Sequence, residues 1–149
     1  MFRLHHIGML VDSMEKAARL QVERYGYRIE SEIILDPVQT AFVQFLRLPG
    51  QGHWLELVSP VPGESKLAQA LERRGEHLHH LCYEVVSLSD AVDHLRQCRQ
   101  LLLADPTPAE AFPGRRIAWF MDRARQLTEL VEQGEGTLSL QSLEFTAKD

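Results

Sequence analysis

The hydrophobic pattern of this chain occurs twice. Residues 4–11 (LHHIGMLV) return in similar form as residues 78–85 (LHHLCYEV), and both segments predict a β-strand. A stretch with apolar residues at helical spacing follows each copy, over 13–25 and 87–98. Each stretch begins with a serine, whose hydroxyl can accept a hydrogen bond from the free amides of a first helical turn. Each copy therefore predicts a strand followed by an N-capped helix.

A second repeat closes each half of the chain, because WLELV at 54–58 is echoed by LTELV at 127–131. The two central glutamates lie 50 and 49 residues after the second histidine of the preceding HH pair. Between helix and closing strand each half has room for two further strands. Each half therefore predicts the order β-α-β-β-β, and the inner strands are expected over 27–34, 40–48, 101–104 and 116–121.

The two halves predict a single α+β domain over residues 1–133, in which two tandem βαβββ modules form a cupped mixed sheet. The first module covers about 4–58 and the second about 76–133. Residues 59–75 link them, and this linker is expected to contain a helix over 65–74 that ends at a glycine.

Two stretches fall outside the repeat. Residues 105–108 (DPTP) are rich in turn formers and are expected to end a strand ladder. Residues 134–149 form a C-terminal extension, in which the alternating pattern over 137–143 predicts one extra edge strand.

Composition and charge exclude several classes of function. Hydrophobic residues make up 44% and charged residues 25% of the 149 residues, as in ordinary globular domains. The net charge of -5 and the pI of about 5.8 argue against a nucleic-acid partner. No apolar run approaches the ~20 residues of a membrane span, so no membrane partner is expected. The sequence shows no secretory signal and no CxxC spacing among its two cysteines, and the cytoplasm is the expected compartment.

The repeat also places chemistry-bearing side chains at matching positions. If the modules pair about a pseudo-twofold axis, equivalent positions on equivalent strands face the same cavity. Two imidazoles and two carboxylates meeting there favour a divalent cation, which offsets their repulsion and burial. Taken singly, such a histidine is usually an ordinary core residue and such a glutamate faces solvent. Alternation places His5 and His79 on the face opposite to His6 and His80, so the residues alone leave two candidate histidine pairs.

The sequence resembles the vicinal-oxygen-chelate superfamily over about its first 133 residues, and within it the methylmalonyl-CoA epimerases. The motifs that carry this resemblance are HIG at 6–8, ELVSP at 56–60, ESKLA at 64–68, LERRGE at 71–76, LHHL at 78–81, GRRIAWF at 114–120 and ELVE at 129–132. The resemblance implies one bound divalent metal ion, with Co, Ni, Zn, Mn and Fe all compatible with the ligand types. The metal ligands that it implies are His6, Glu56, His80 and Glu129.

The resemblance implies an isomerase that removes and returns an α-proton of an acyl thioester through a metal-stabilised enolate. Glu129 could serve as a ligand and, by detaching, as one base. The family's other base is a glutamate shortly after a proline, but here the loop reads ILDPVQ at 34–39. Asp36 is the only carboxylate nearby, so it is the candidate second base, and its ordinary role would be that of a turn residue before proline.

The expected partner is a small-molecule substrate, for example a coenzyme A thioester, and the resemblance also implies a homodimer. Gln44 could line the cavity. Five basic residues could meet the phosphates of coenzyme A, although solvated surface charge is the commoner role of such side chains. They are Lys66, Arg73, Arg74, Arg115 and Arg116.

Three other functions remain open. A glyoxalase I-like lyase, acting on a glutathione hemithioacetal, would use the same ligand set, but the D-P-D-G turn common before its last strand is absent, and residues 121–125 read MDRAR. An extradiol dioxygenase would need a free coordination position where Glu56 stands. A non-catalytic small-ligand-binding protein of the same fold would commonly lack the ligand set.

Overall fold

The duplicated pattern becomes two similar sets of elements in a computed structural model, which describes residues 2–140. In this part of the chain three helices and ten strands are present. The helices are α1 (Met14–Tyr25), α2 (Lys66–Arg74) and α3 (Leu88–Gln97). The strands are β1 (Phe2–Leu10), β2 (Arg28–Ile29), β3 (Ile34–Asp36), β4 (Ala41–Arg47), β5 (Trp54–Pro60), β6 (His77–Val85), β7 (Leu101–Leu102), β8 (Thr107–Pro108), β9 (Arg116–Met121) and β10 (Leu127–Glu132).

The two predicted serine caps are confirmed, and a third serine caps the linker helix α2. The hydroxyl oxygens of Ser13 and Ser87 each accept a hydrogen bond at 3.3 Å from the amide three residues later, and that of Ser65 accepts one at 3.0 Å. Helix α1 ends at Gly26, whose φ of 76° is the left-handed conformation that glycine adopts without steric cost. Within the described residues, no helix has the combination of length and apolar character needed to cross a membrane.

All ten strands form one open sheet, as the predicted fold class requires. Its order is β2-β4-β5-β1-β6-β10-β9-β7, with β3 paired to β4 and β8 paired to β9. Strands of the first half lie on one side and those of the second half on the other, joined by the antiparallel pair β1–β6. Because β1 pairs with β5 and β6 with β10 in parallel, the first and last strands of both halves are the four central strands of the sheet.

Strand alternation gives the sheet two different faces. On the helix face, Leu55 and Leu57 of β5 pack with the apolar side of α1, and Leu130 of β10, the equivalent of Leu57, packs with α3. On the other face, Trp54 and Val58 belong to a separate buried cluster that includes Phe45 and contains no residue of α1 or α3. We call this second face the site face, because Glu56 lies between Trp54 and Val58 on it.

Several predicted strand bounds were wrong. The strand expected over 27–34 is interrupted, since Ser31 Oγ, not a backbone carbonyl, accepts the hydrogen bond of the Phe45 amide at 2.9 Å. The strand expected over 101–104 has only two residues. The stretch 105–108 was expected to end a ladder, but Thr107 and Pro108 pair with β9 at its outer side, where proline needs no donor of its own.

The C-terminal extension also differs from expectation. Residues 137–140 form a turn and irregular chain, not the predicted edge strand, and residues 141–143 of that prediction lie outside the described residues. Leu138 packs into the cluster on the site face and is 8% exposed. The domain boundary at residue 133 stays a prediction.

Candidate metal centre

The four predicted ligands come together at the middle of the site face. Each is supplied by one of the four central strands, β1, β5, β6 and β10. Their ligand atoms lie within 4.8 Å of one another, and none of the four residues is more than 6% exposed. The repeat therefore places equivalent residues of both halves around one point. The residues of this ligand cluster are His6, Glu56, His80 and Glu129.

The distances in the cluster match those between donors to one cation. His6 Nε2 lies 3.1 Å from His80 Nε2, 3.1 Å from Glu56 Oε2 and 3.2 Å from Glu129 Oε2. His80 Nε2 lies 3.1 Å and 3.4 Å from the same two oxygens. Donor atoms about 2.1 Å from a shared ion are about 3.0–3.4 Å apart in octahedral or tetrahedral geometry. The cluster therefore has the spacing of a coordination sphere.

One buried atom in the cluster supports the same conclusion. Glu56 Oε2 is buried without a hydrogen-bond partner, and its nearest polar neighbours are the two imidazole nitrogens at 3.1 Å. A buried carboxylate oxygen without a donor is costly, and a cation would satisfy it. The residues present therefore fit a divalent metal ion with mixed nitrogen and oxygen ligands.

The charges in the cluster are strongly coupled. Burial alone would lower the pKa of His6, but the neighbouring carboxylates of Glu56 and Glu129 help to outweigh burial, and this pKa is raised well above its ordinary value. Burial would likewise lower the pKa of His80, and contacts with Glu129 and Glu56 raise it. Burial would raise the pKa values of Glu56 and Glu129, and the two imidazoles lower them. Protons therefore compete with a cation for the nitrogen atoms of the cluster.

The preceding histidines, His5 and His79, occupy β-bulges. Across the β1–β6 pair, Leu4 faces Tyr83 and His6 faces Cys82, so that His5 is the extra residue. The register shifts again between Gly8 and Met9 of β1, which face His80 and Leu78, so that His79 is the extra residue there. A bulge redirects a side chain that strict alternation would send to the other face.

Both bulged imidazoles therefore contact the ligand cluster, contrary to the expectation from alternation. His5 Nδ1 lies 2.8 Å from His6 Nδ1, and His79 Nδ1 lies 3.0 Å from His80 Nδ1. Burial, together with the adjacent histidine, lowers the pKa of His5 to about 3 and that of His79 to about 4. Both rings are therefore neutral near pH 7. The HH doublet in each half of the sequence was the available signal for this arrangement.

Gly8 provides the space for His80. It lies directly opposite His80 in the β1–β6 register, and a Cβ atom built on Gly8 would overlap the His80 imidazole. Any larger residue at position 8 would displace that ring. This is the physical reason for glycine in the HIG motif.

Aromatic rings surround the ligand cluster. Phe45 and Phe112 lie against the His6 ring with centroid distances of 5.4 Å and 6.0 Å, and Trp119 lies 4.8 Å from the His80 ring. Such a wall excludes water and strengthens electrostatic interactions inside the site. Cys82 is fully buried beside His6, and burial raises the pKa of its thiol to about 12. Cys82 is therefore a protonated packing residue.

Asp36 lies outside the ligand cluster and forms a hydrogen-bonded turn. Its Oδ1 accepts hydrogen bonds from the amides of Val38 and Gln39 at 3.0 Å and 3.1 Å, and its Oδ2 accepts one from Gln39 Nε2 at 2.7 Å. Asp36 and Trp119 line the same cleft of about 120 Å³. Trp119 therefore connects the Asp36 cleft to His80, although the structure does not bring Asp36 and the four ligands into one group.

Two of the other candidate residues have different surroundings from those expected. Gln44 lies on the helix face, where it lines a cleft with residues of α1 and donates a hydrogen bond to the Ser31 carbonyl at 3.2 Å. Arg115 is only 4% exposed and donates to the carbonyls of Thr137 and Leu138 at 3.1 Å and 3.2 Å. The expectations that Gln44 lines the cavity and that Arg115 meets the phosphates of coenzyme A therefore do not agree with the structure. The remaining basic candidates are on the surface: Lys66, Arg73, Arg74 and Arg116.

The family of the chain follows from its sequence as well as from this geometry. The profile of the glyoxalase/bleomycin resistance protein/dioxygenase superfamily matches residues 5–119. The chain belongs to this superfamily, and its open mixed sheet with paired modules is the vicinal-oxygen-chelate fold.

Several individual proteins resemble the chain over most of its length. The chain is 29% identical to the uncharacterized protein YqjC of Bacillus subtilis over 89% of this chain and 93% of that protein. It is 28% identical to the ethylmalonyl-CoA/methylmalonyl-CoA epimerase of Cereibacter sphaeroides over 77% of this chain and 84% of the relative. A Streptomyces coelicolor methylmalonyl-CoA epimerase, solved in complex with 2-nitronate-propionyl-CoA, superposes with a TM-score of 0.78 at 21% identity over 89% of this chain and 98% of that chain. The resemblance to methylmalonyl-CoA epimerases is therefore confirmed.

Proposed function

We propose that this protein is a divalent-metal-dependent epimerase of acyl-coenzyme A thioesters such as methylmalonyl-CoA. The observation that carries the proposal is the buried cluster of two imidazoles and two carboxylates, whose donor atoms have the spacing of a coordination sphere. The epimerase relatives, of which one acts on ethylmalonyl-CoA and methylmalonyl-CoA by name, support the substrate class.

The metal would be held by the four cluster residues. A cation there would supply Lewis-acid stabilisation of the negative charge that develops on a substrate oxygen when an α-proton is removed. The aromatic wall formed by Phe45, Phe112 and Trp119 excludes water from this charge. The substrate would therefore form its enolate in a site with a low effective dielectric constant.

Epimerisation requires a proton acceptor on each side of the α-carbon. Glu129 is proposed for one side, because it is a buried carboxylate in the ligand cluster, 3.2 Å from His6 Nε2. By detaching from the cation, its carboxylate would become free to accept the α-proton.

Asp36 is proposed for the other side, from the cleft that it shares with Trp119. Its Oδ1 is committed to two backbone amides of the turn, whereas Oδ2 accepts a single hydrogen bond from the Gln39 side chain. Rotation of the Gln39 side chain would free Oδ2 for proton transfer while the turn stays intact. Gln39→Leu would thus expose Oδ2 without changing the carboxylate.

The coenzyme A part of the substrate would bind outside the buried cluster. Lys66, Arg73 and Arg74 lie on or next to the exposed side of α2, and their charges suit phosphate groups. We propose a homodimer as the assembled form, on the resemblance alone.

The proposal is tested by proton exchange. Methylmalonyl-CoA is incubated in D₂O with protein carrying a full complement of Co²⁺ or Mn²⁺, and loss of the α-proton signal is followed by NMR. We expect metal-dependent exchange in the wild-type protein, a loss of about 10²-fold or more in Glu129→Gln, and a comparable loss in Asp36→Asn. Glu30→Gln, at an exposed ion pair with Arg47, is the control. Absence of exchange in fully loaded wild-type protein contradicts the proposal.

A second substrate tests the alternative function, a glyoxalase I-like lyase. The same protein is assayed with methylglyoxal and glutathione, and we expect no metal-dependent turnover. Turnover of the hemithioacetal without α-proton exchange in methylmalonyl-CoA would replace the epimerase proposal by a glyoxalase I-like activity.

A further inference from the structure

The positions of His5 and His79 bear on which ring nitrogen of His6 and His80 carries the proton. An imidazole that binds a cation through Nε2 carries its ring proton on Nδ1, and that N–H requires an acceptor. In both His6 and His80 it is Nε2 that faces the ligand cluster. Each Nδ1 must therefore donate to a neighbouring group when a cation is bound.

The acceptor in each half is the preceding imidazole. His6 Nδ1 has His5 Nδ1 at 2.8 Å, and His80 Nδ1 has His79 Nδ1 at 3.0 Å. Two ring nitrogens form one hydrogen bond only if one has the proton and the other has the lone pair. Metal binding through Nε2 therefore demands that His5 and His79 present an unprotonated Nδ1.

The other nitrogen of His5 shows why this requirement is met. His5 Nε2 lies 2.7 Å from the carbonyl oxygen of Leu138, and a carbonyl oxygen can only accept. The proton of a neutral His5 ring is thus on Nε2, which leaves its Nδ1 as the acceptor for His6. The hydrogen bonds run in one direction from His6 through His5 to the Leu138 carbonyl.

The Leu138 carbonyl is itself held in place. Leu138 has φ 58°, a left-handed conformation that is unfavourable for a residue with a side chain. The buried Arg115 guanidinium donates to this carbonyl at 3.2 Å, and the Leu138 side chain is buried on the site face. Gly134 leaves room for Arg115, because a Cβ there would lie 2.5 Å from Arg115 Cδ. The turn thus has a fixed position beside His5.

We propose that His5 and His79 are positioning residues that hold the protons of His6 and His80 on Nδ1, and that the Leu138 carbonyl fixes the tautomer of His5. Residue 138 lies beyond the family match at 5–119, so a segment outside the matched range contributes to the metal centre. This inference rests on the proposed function, since it requires a bound cation. It also predicts an asymmetry between the halves, because His5 is fully buried whereas His79 is only partly buried.

Metal affinity and proton positions test the proposal. His5→Phe keeps the ring that packs on Trp54 and Phe112 but removes both hydrogen bonds, and His5→Asn restores an acceptor close to the position of Nδ1. Co²⁺ affinity is measured by visible absorption for these variants and for His79→Phe, with the exposed His94→Phe as the matched control. We expect a loss of about tenfold in His5→Phe, a smaller loss in His79→Phe, partial recovery in His5→Asn and no change in His94→Phe.

Long-range ¹H–¹⁵N spectra of wild-type, zinc-loaded protein read the tautomers directly and do not depend on the folding of any variant. We expect protons on His5 Nε2 and His6 Nδ1. A proton on His5 Nδ1, or a folded His5→Phe whose affinity is within twofold of wild type, overturns the inference while the metal centre stands. Failure of the wild-type protein to bind Co²⁺ or Zn²⁺ overturns both.

Discussion

Replacing Gly8 with alanine tests whether the β1–β6 pair is built around the His80 imidazole. The added Cβ would overlap the ring of His80, so either the ring rotates out of the ligand cluster or the two central strands separate. Both responses resemble overpacking of a core, which costs about 1–3 kcal/mol of unfolding free energy. Gly52→Ala is the matched control, because a Cβ at Gly52 meets no atom within 4 Å.

The larger effect of Gly8→Ala is expected on metal binding. A cation at 100 times its Kd stabilises the folded protein by about 2.7 kcal/mol, and a tenfold weaker affinity reduces this stabilisation to about 1.4 kcal/mol at the same concentration. Displacement of His80 removes one of four ligands, so we expect Gly8→Ala to lose at least half of the metal-induced stabilisation.

The assay is chemical denaturation of both variants with and without Zn²⁺. The reasoning is refuted if Gly8→Ala retains the full metal-induced increase in unfolding free energy. It is equally refuted if Gly52→Ala loses as much of this increase as Gly8→Ala does.

Two further predictions concern protons and buried charge. The pKa values of His6 and His80 are raised in the metal-free cluster, so the protons on these imidazoles must leave before a cation binds. The affinity for Co²⁺ should therefore fall as pH falls, by about tenfold per pH unit for each displaced proton. This dependence should persist above pH 7. A Kd that is constant between pH 7 and 8 would show that the histidines titrate at ordinary values. Arg115→Met removes one of the two cations beside the buried Glu84 carboxylate, the other being Arg3, and should lower the unfolding free energy by about 3 kcal/mol. Arg116→Met, at an exposed pair with Glu132, should cost less than about 1 kcal/mol. Equal losses in urea denaturation would contradict the buried role of Arg115.

The sequence predicted those features that depend on repetition and periodicity. The three helices begin at the predicted serines, because the N-cap is a local interaction between a side chain and the next turn. The order of elements followed from the duplicated pattern. The convergence of two histidines and two glutamates followed from the equivalence of their positions in the two halves.

The sequence could not predict what depends on register and on distant contacts. Strict alternation placed His5 and His79 on the wrong face, because a bulge is set by the partner strand and leaves no period of its own. The partner of His5 is the carbonyl of Leu138, which is 133 residues away along the chain. Arg115 was taken for a surface charge, since its burial depends on space left by Gly134. These contacts are properties of the folded chain, not of any local segment.

The most direct test of the account is the position of a metal ion in crystals of the cobalt-loaded protein. Anomalous difference density collected at the cobalt edge should show one strong peak per chain, about 2.1 Å from ligand atoms of the four cluster residues. A peak at that position supports the metal centre on which the proposed epimerase and the positioning histidines depend. Loaded crystals with the cobalt peak elsewhere, or with none within reach of His6 and His80, would contradict it.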